Sequence, residues 1–245
     1  MDKNALIQEM AKLANSTADP YLQTRTFFIL KIDYVANKCL DFYSSTINTI
    51  EEKAKAEAMK KIFEHRDKFK FSGAVQHKVS TTIKVATVSE FSFYLDTFIE
   101  SCDRLVRHEI KNSIFKLSGD KLKSVTELMN IFKDGKLKLN NINARYIKDN
   151  PELRKYYISE WDNWIKELNT DRANSVHNFR VKQFDITIET FYNSLTKSVS
   201  EPANITSEEL KLNGIFVNNW INQTRKRTFE FVKENGVYLK KKGLQ

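Results

Sequence analysis

Over most of the chain, apolar residues recur at intervals of three and four, the pattern of helices with one buried face. In residues 3–15, Ala5, Leu6, Met10 and Leu13 form such a stripe, which Asn15, Ser16 and Pro20 bring to an end. From Thr24 to Glu64, Phe27, Phe28, Leu30, Ile32, Val35, Leu40, Tyr43, Ile47 and Ile50 give way to a run of Ala, Lys and Glu without Gly or Pro. One long helix or two kinked helices are predicted there. Residues 66–88 break the pattern. Phe69, Phe71, Val75, Val79, Ile83 and Val85 alternate loosely among Thr, Ser and Lys, which predicts a loop or a small hairpin.

Helical spacing resumes at Ser89, a capping residue type, and runs through Phe93, Leu95, Phe98, Ile99, Leu105 and Ile110. Gly119 and Gly135 bracket a further helix bearing Leu122, Val125, Leu128, Met129 and Phe132. Asn150-Pro151-Glu152 is a strong helix start, with a capping amide, Pro at the first helical position and an acid at the positive dipole end. Leu153, Tyr157, Trp161, Trp164 and Leu168 form its stripe. A helix is predicted over about 183–199. A last one is predicted from the capping box at Thr206-Ser207-Glu208-Glu209, through Ile215, Trp220, Ile221, Phe229 and Phe231, to Gly236. The expected class is all-α, a helical bundle at 88–245 preceded by an N-terminal helical region at 1–87.

Composition supports that class. Only six Gly and three Pro occur in 245 residues, too few turn formers for a sandwich, barrel or doubly wound sheet of this size. No apolar run reaches the length of a membrane span. The N-terminus lacks a signal-peptide pattern, so a cytoplasmic protein without membrane association is expected. Cys39 and Cys102 stand apart from each other and from His clusters, as reduced buried thiols do.

Charge narrows the partner. The net charge is +9, and the basic surplus is concentrated in residues 101–150 and 201–245. Such surfaces attract polyanions, so RNA or DNA is a reasonable partner class beside solvated lysine-rich faces. Lys133, Lys136 and Lys138 around Gly135, Arg180, and Arg225-Lys226-Arg227 are candidate RNA-backbone contacts. Lys240-Lys241-Lys242 is a further basic run. Trp161 and Trp164 read as core or interface anchors rather than base-stacking platforms.

Most local catalytic signatures are missing. No phosphate-cradling Gly loop, no GxSxG elbow and no Cys/His array for zinc occurs. His65, His77, His108 and His177 are far apart. Arg104 and His108 share a helical face, with Arg107 and Glu109 beside that His, and the expected outcome is a solvated or salt-bridged surface.

One segment carries a candidate mechanism. The amphipathic Trp161–Leu168 stretch runs into Arg172-Ala-Asn-Ser-Val-His177, an Arg followed after four residues by a His. On an ideal helix the two lie about 140° apart and line two walls of a groove rather than grip one atom. Arg172 through His177 resembles the R-x(4–6)-H motif of the HEPN superfamily, all-α bundle proteins of toxin–antitoxin and phage-defence systems, many of them metal-independent ribonucleases. The resemblance spans about residues 88–235. It implies that His177 acts as general base or acid on the RNA 2′-hydroxyl while Arg172 stabilises charge on the scissile phosphate. The family often has a polar residue directly after the Arg. Here that place is Ala173, and Asn174, one position later, is the candidate substitute. The resemblance further implies no metal or cofactor, a homodimer presenting two motifs to one cleft, and an antitoxin or defence-system partner. The alternative is an inactive RNA- or protein-binding module of the same fold.

Overall fold

The computed structural model describes residues 19–70, 76–86, 89–119, 121–122, 124–126, 128–129, 150–177, 183–196, 198–199, 204–206, 211–212 and 215–243. Helices dominate them, as expected: α1 (Pro20–Lys70), α2 (Ser89–Ser118), α3 (Pro151–Glu160), α4 (Lys166–His177) and α5 (Val217–Lys241). Trp161–Ile165, between α3 and α4, winds as a π-helical turn. The helix expected at 3–15 lies outside the described residues, as does Gly135.

Local chemistry sets several ends. Asp19 caps α1, its Oδ1 accepting the Tyr21 backbone N–H at 2.8 Å, and Pro20 occupies the first helical position, where no N–H is required. Gly119 ends α2 with φ +74°, its N–H bonding the Phe115 carbonyl at 2.7 Å. That left-handed conformation carries a steric cost for any residue with a Cβ. Pro151 opens α3 as expected, but the Asn150 side chain makes no cap bond. Its Oδ1 instead accepts the Tyr238 hydroxyl at 3.1 Å.

The chain divides into two compact units. One comprises Met1–Ala36, Leu95–Phe179 and Asn222–Gln245, the other Asn37–Tyr94 and Arg180–Ile221. The described residues 19–36 fall in the first of these units.

In the first unit Phe98, Cys102, Leu105, Ile110 and Ile114 of α2 are fully buried, as are Leu153 and Tyr157 of α3. Three rings meet Phe231 of α5. Tyr156 stacks on it at 5.7 Å, Tyr157 tilts against it at 6.0 Å and Trp164 meets it edge-on at 6.3 Å. The π-turn adds a residue to its helical turn, and Trp161, Trp164 and Ile165 are all buried there. Trp164 Nε1 donates to Glu160 Oε2 at 2.6 Å. Both tryptophans are thus core anchors.

The second unit corrects two expectations. Residues 183–193 form a strand, β2, rather than a helix. Positions Phe184, Ile186, Ile188 and Tyr192 alternate with Asp185, Thr187 and Glu189, which is strand periodicity. Its partner is β1 (Gln76–Ala86), paired antiparallel over eleven residues from Gln76↔Asn193 to Ala86↔Gln183. The 66–88 segment therefore contributes a strand to a long-range pair, and α1 persists to Lys70 instead of stopping near residue 64. Lys78 and Glu189, diagonal neighbours across the ladder, form an ion pair. Two short strands, β3 (Ser198–Val199) and β4 (Asn204–Thr206), also pair with β2. Asn193 Oδ1 accepts the Leu195 and Thr196 N–H groups in the β2–β3 turn.

The last helix is also displaced. Thr206 belongs to β4, a further two-stranded ladder pairs β5 (Lys211–Leu212) with β6 (Ile215–Phe216), and α5 begins only at Val217. It then passes through Gly236 to Lys241, and Gly243, at φ +73°, follows its end.

Candidate functional site

The motif helix forms as expected. α4 runs unbroken through both Arg172 and His177, so the backbone sets them about 140° apart and about 7.5 Å apart along the axis. The side chains of Asn174 and His177 lie outside the described residues. Arg172 follows the buried Leu168 by one turn, and its guanidinium turns toward α2.

There it meets Asp103, a carboxylate only 1% exposed. Arg172 Nε lies 3.3 Å from Asp103 Oδ2, and the Arg172 side chain keeps 36% of its surface in solvent. The same oxygen accepts Arg107 Nε at 2.7 Å. Arg107 in turn donates from Nη2 to Asn169 Oδ1, one turn before Arg172 on α4. Two guanidiniums thus share one carboxylate, and the cluster carries a surplus positive charge. Arg172 Nε is buried and its contact with Asp103 is an ion pair rather than a hydrogen bond. The side chain keeps part of its surface in solvent, where a guanidinium suits a phosphate oxygen.

Sequence reasoning missed Asp103, Arg107 and Asn169. Asp103 and Arg107 are four apart, a helical ion-pair spacing, and Asp103 lies one residue from the buried Cys102.

A second polar cluster binds the same unit together, and it corrects the expectation of a solvated surface around His108. Glu109 is fully buried. Its Oε1 lies 3.4 Å from Arg25 Nε, and its Oε2 accepts Asn235 Nδ2 at 3.3 Å. Asn235 also donates to Ser113 Oγ at 2.8 Å and accepts the Tyr157 hydroxyl at 2.7 Å. Arg25 Nη2 reaches the Val232 carbonyl at 2.9 Å. Residues of α1, α2, α3 and α5 are therefore joined through one buried polar network centred on Glu109 and Asn235. Burial, with the Glu109 charge added, pushes the Tyr21 phenol far above its ordinary range. His108 stacks on Tyr21 at 4.6 Å, and burial lowers its pKa. Arg104, by contrast, pairs with Glu100 on the surface as expected.

The remaining candidates separate. Lys133, Lys136, Lys138 and Arg180 lie outside the described residues. Arg225 is committed within the unit, to Asp33 at 3.1 Å and to Asn222 at 3.2 Å. Lys226 is 76% exposed and lies 3.8 Å from Glu230, and Arg227 is exposed. Both Cys39 and Cys102 are buried free thiols. Among the described residues no group of three or more His, Cys, Asp or Glu is placed to hold a metal ion, and no helix is long and apolar enough to cross a membrane.

Comparison with family models, with curated proteins and with solved structures finds no match to this chain.

Proposed function

We propose that this chain is a metal-independent endoribonuclease of the HEPN type, acting on RNA as a homodimer in a toxin or anti-phage defence role. The observation that carries this reading is the Asp103 carboxylate shared between Arg107 and Arg172. It draws the Arg172 guanidinium in by charge and leaves the side chain partly exposed to an anion. A guanidinium held in this way stabilises charge as it develops on a phosphate without reorganising at the moment of reaction.

His177, five residues on along α4, supplies the proton transfer. Neutral imidazole takes the proton from the RNA 2′-hydroxyl, whose oxygen attacks the adjacent phosphorus. The P–O5′ bond breaks, and its electron pair leaves on O5′, which takes a proton from the imidazolium contributed by the second subunit. The products are a 2′,3′-cyclic phosphate and a 5′-hydroxyl. The test is to incubate the purified protein with single-stranded RNA in excess EDTA and to identify the termini. Cleavage giving those two ends supports the mechanism, whereas 3′-hydroxyl and 5′-phosphate ends contradict it.

A second reading, an inactive RNA-binding module, draws on Ala173, which puts an exposed methyl where the family often has a polar group. RNA binding without cleavage in the same assay would select it.

A further inference from the structure

The first turns of α3 and the last turns of α5 line an open cavity of about 570 Å³, within the size range of small-molecule sites. Both segments belong to the first unit. The lining brings together Tyr156, Tyr238, Lys233, Lys241, Lys242 and Glu234. Lys233, Lys241 and Lys242 form no ion pair among the described residues. The Lys242 ammonium lies 5.8 Å from the centroid of the Tyr238 ring. The Tyr156 hydroxyl is buried in the floor of the site. Burial, reinforced by the Glu160 and Glu234 carboxylates, keeps that phenol protonated, with Glu234 as the acceptor beside it.

Ammonium groups that no described carboxylate pairs with, set beside aromatic rings in a concave site, suit a ligand that joins an anionic group to a flat ring system. Phosphate oxygens satisfy the ammoniums, and a base packs against ring faces. The carboxylates of Glu152 and Glu234, also in the lining, reduce the local positive charge. They disfavour a highly charged polyphosphate and offer acceptors to ribose hydroxyls or a base amine.

We infer that this cavity binds a nucleoside monophosphate, its phosphate held by Lys233, Lys241 and Lys242 and its base against Tyr156 and Tyr238. The ligand is either a free nucleotide or the 5′-phosphorylated end of an RNA strand, which present the same chemistry. None of these residues belongs to the Arg172–His177 site, so failure here leaves the ribonuclease reading standing.

The test is calorimetric titration of the full chain with AMP, adenosine and inorganic phosphate at low ionic strength. AMP should bind at least about tenfold tighter than adenosine or phosphate, because each alone lacks half of the contacts. The double variant Lys241→Gln/Lys242→Gln should lose about tenfold in AMP affinity, the scale of one or two charge-assisted hydrogen bonds. Val237, 48% exposed beside the site, provides an independent block, and Val237→Trp should abolish AMP binding with an unchanged circular dichroism spectrum. If the Trp variant unfolds, the surface lysine pair decides alone. Displacement of AMP by a 5′-phosphorylated RNA hexamer, but not by its 5′-hydroxyl form, identifies a strand end as the ligand. If neither hexamer displaces AMP, the free nucleotide is the ligand. The inference is overturned if AMP binds no tighter than phosphate or adenosine, or if the folded lysine variant keeps wild-type affinity.

Discussion

Replacing Asp103 by Asn tests whether one buried carboxylate organises the candidate site. The substitution preserves shape and removes the charge that two guanidiniums share. Arg107 loses the stronger contact, a 2.7 Å charge-assisted bond to an oxygen almost wholly screened from water. Such bonds contribute about 1.5–3 kcal/mol. Arg172 loses a longer contact of 3.3 Å from a side chain that is 36% exposed, and solvent screening holds that share to about 0.5 kcal/mol. The expected loss is therefore about 2–3 kcal/mol, with Arg107 carrying most of it. The assay is urea unfolding followed by tryptophan fluorescence, since Trp161 and Trp164 sit just before α4. Arg107→Ala should cost about 2 kcal/mol and Arg172→Ala under about 1 kcal/mol. Asp103→Asn combined with Arg107→Ala should fall at least about 1 kcal/mol short of additivity, because both remove the same bond. An Asp103→Asn protein within about 0.5 kcal/mol of wild type, or strict additivity with Arg107→Ala, would refute the shared-carboxylate argument.

Asn235→Leu should destabilise the first unit by about 3–4 kcal/mol, because Tyr157, Ser113 and Glu109 each lose a partner inside the core; chemical denaturation measures this. At Gly236, a Cβ would lie 3.4 Å from Arg25 Nη2, an ordinary contact. Gly236→Ala should therefore stabilise the helix interior by about 0.5–1 kcal/mol, whereas Gly236→Val should push Arg25 off Glu109 and lower the melting temperature. Burial depresses the pKa of His108 in the folded state. Its neutral form is thus favoured on folding, and stability should begin to fall as pH drops below about 6.5 and continue down through the folded pKa. His108→Phe, which keeps the stack on Tyr21, should flatten that part of the stability–pH profile, and an unchanged slope would remove His108 as its source.

The helical framework was legible because its elements obey one period over long stretches. α2 illustrates both what that period reveals and how a residue's chemistry can mislead. Cys102, Leu105, Val106, Ile110 and Ile114 mark its inner face, and Glu109 sits three and four residues beyond Val106 and Leu105. Periodicity alone assigns Glu109 to the interior, and only the habit of placing charges outside put it in solvent. Its stabilising partners, Arg25 and Asn235, lie far away in sequence. Asn235 itself lies on the Trp220, Thr224, Thr228, Phe231 and Val232 stripe of α5.

The β1–β2 ladder escaped for a different reason. Each strand alternates at period two, but each is stabilised by a partner about a hundred residues distant, so neither contains a local turn signal joining the pair. Gly236 was read as a helix end because Gly commonly terminates helices. Here the helix continues and Arg25 packs against it. The candidate site was half legible. Arg172 and His177 are visible as a spacing within one helix, whereas Asp103 reaches Arg172 only through the packing of α2 on α4.

The central claim is that Arg172 and His177 do chemistry on RNA, and substituting His177 measures it most directly. Wild-type protein, His177→Ala and Arg172→Ala should be compared for RNA affinity and for cleavage in EDTA. The account predicts cleavage by wild type, its loss in the His177→Ala protein at unchanged RNA affinity, and loss of both cleavage and part of the affinity in the Arg172→Ala protein. Cleavage that survives in the His177→Ala protein, or that appears only when a divalent metal is added, would contradict it.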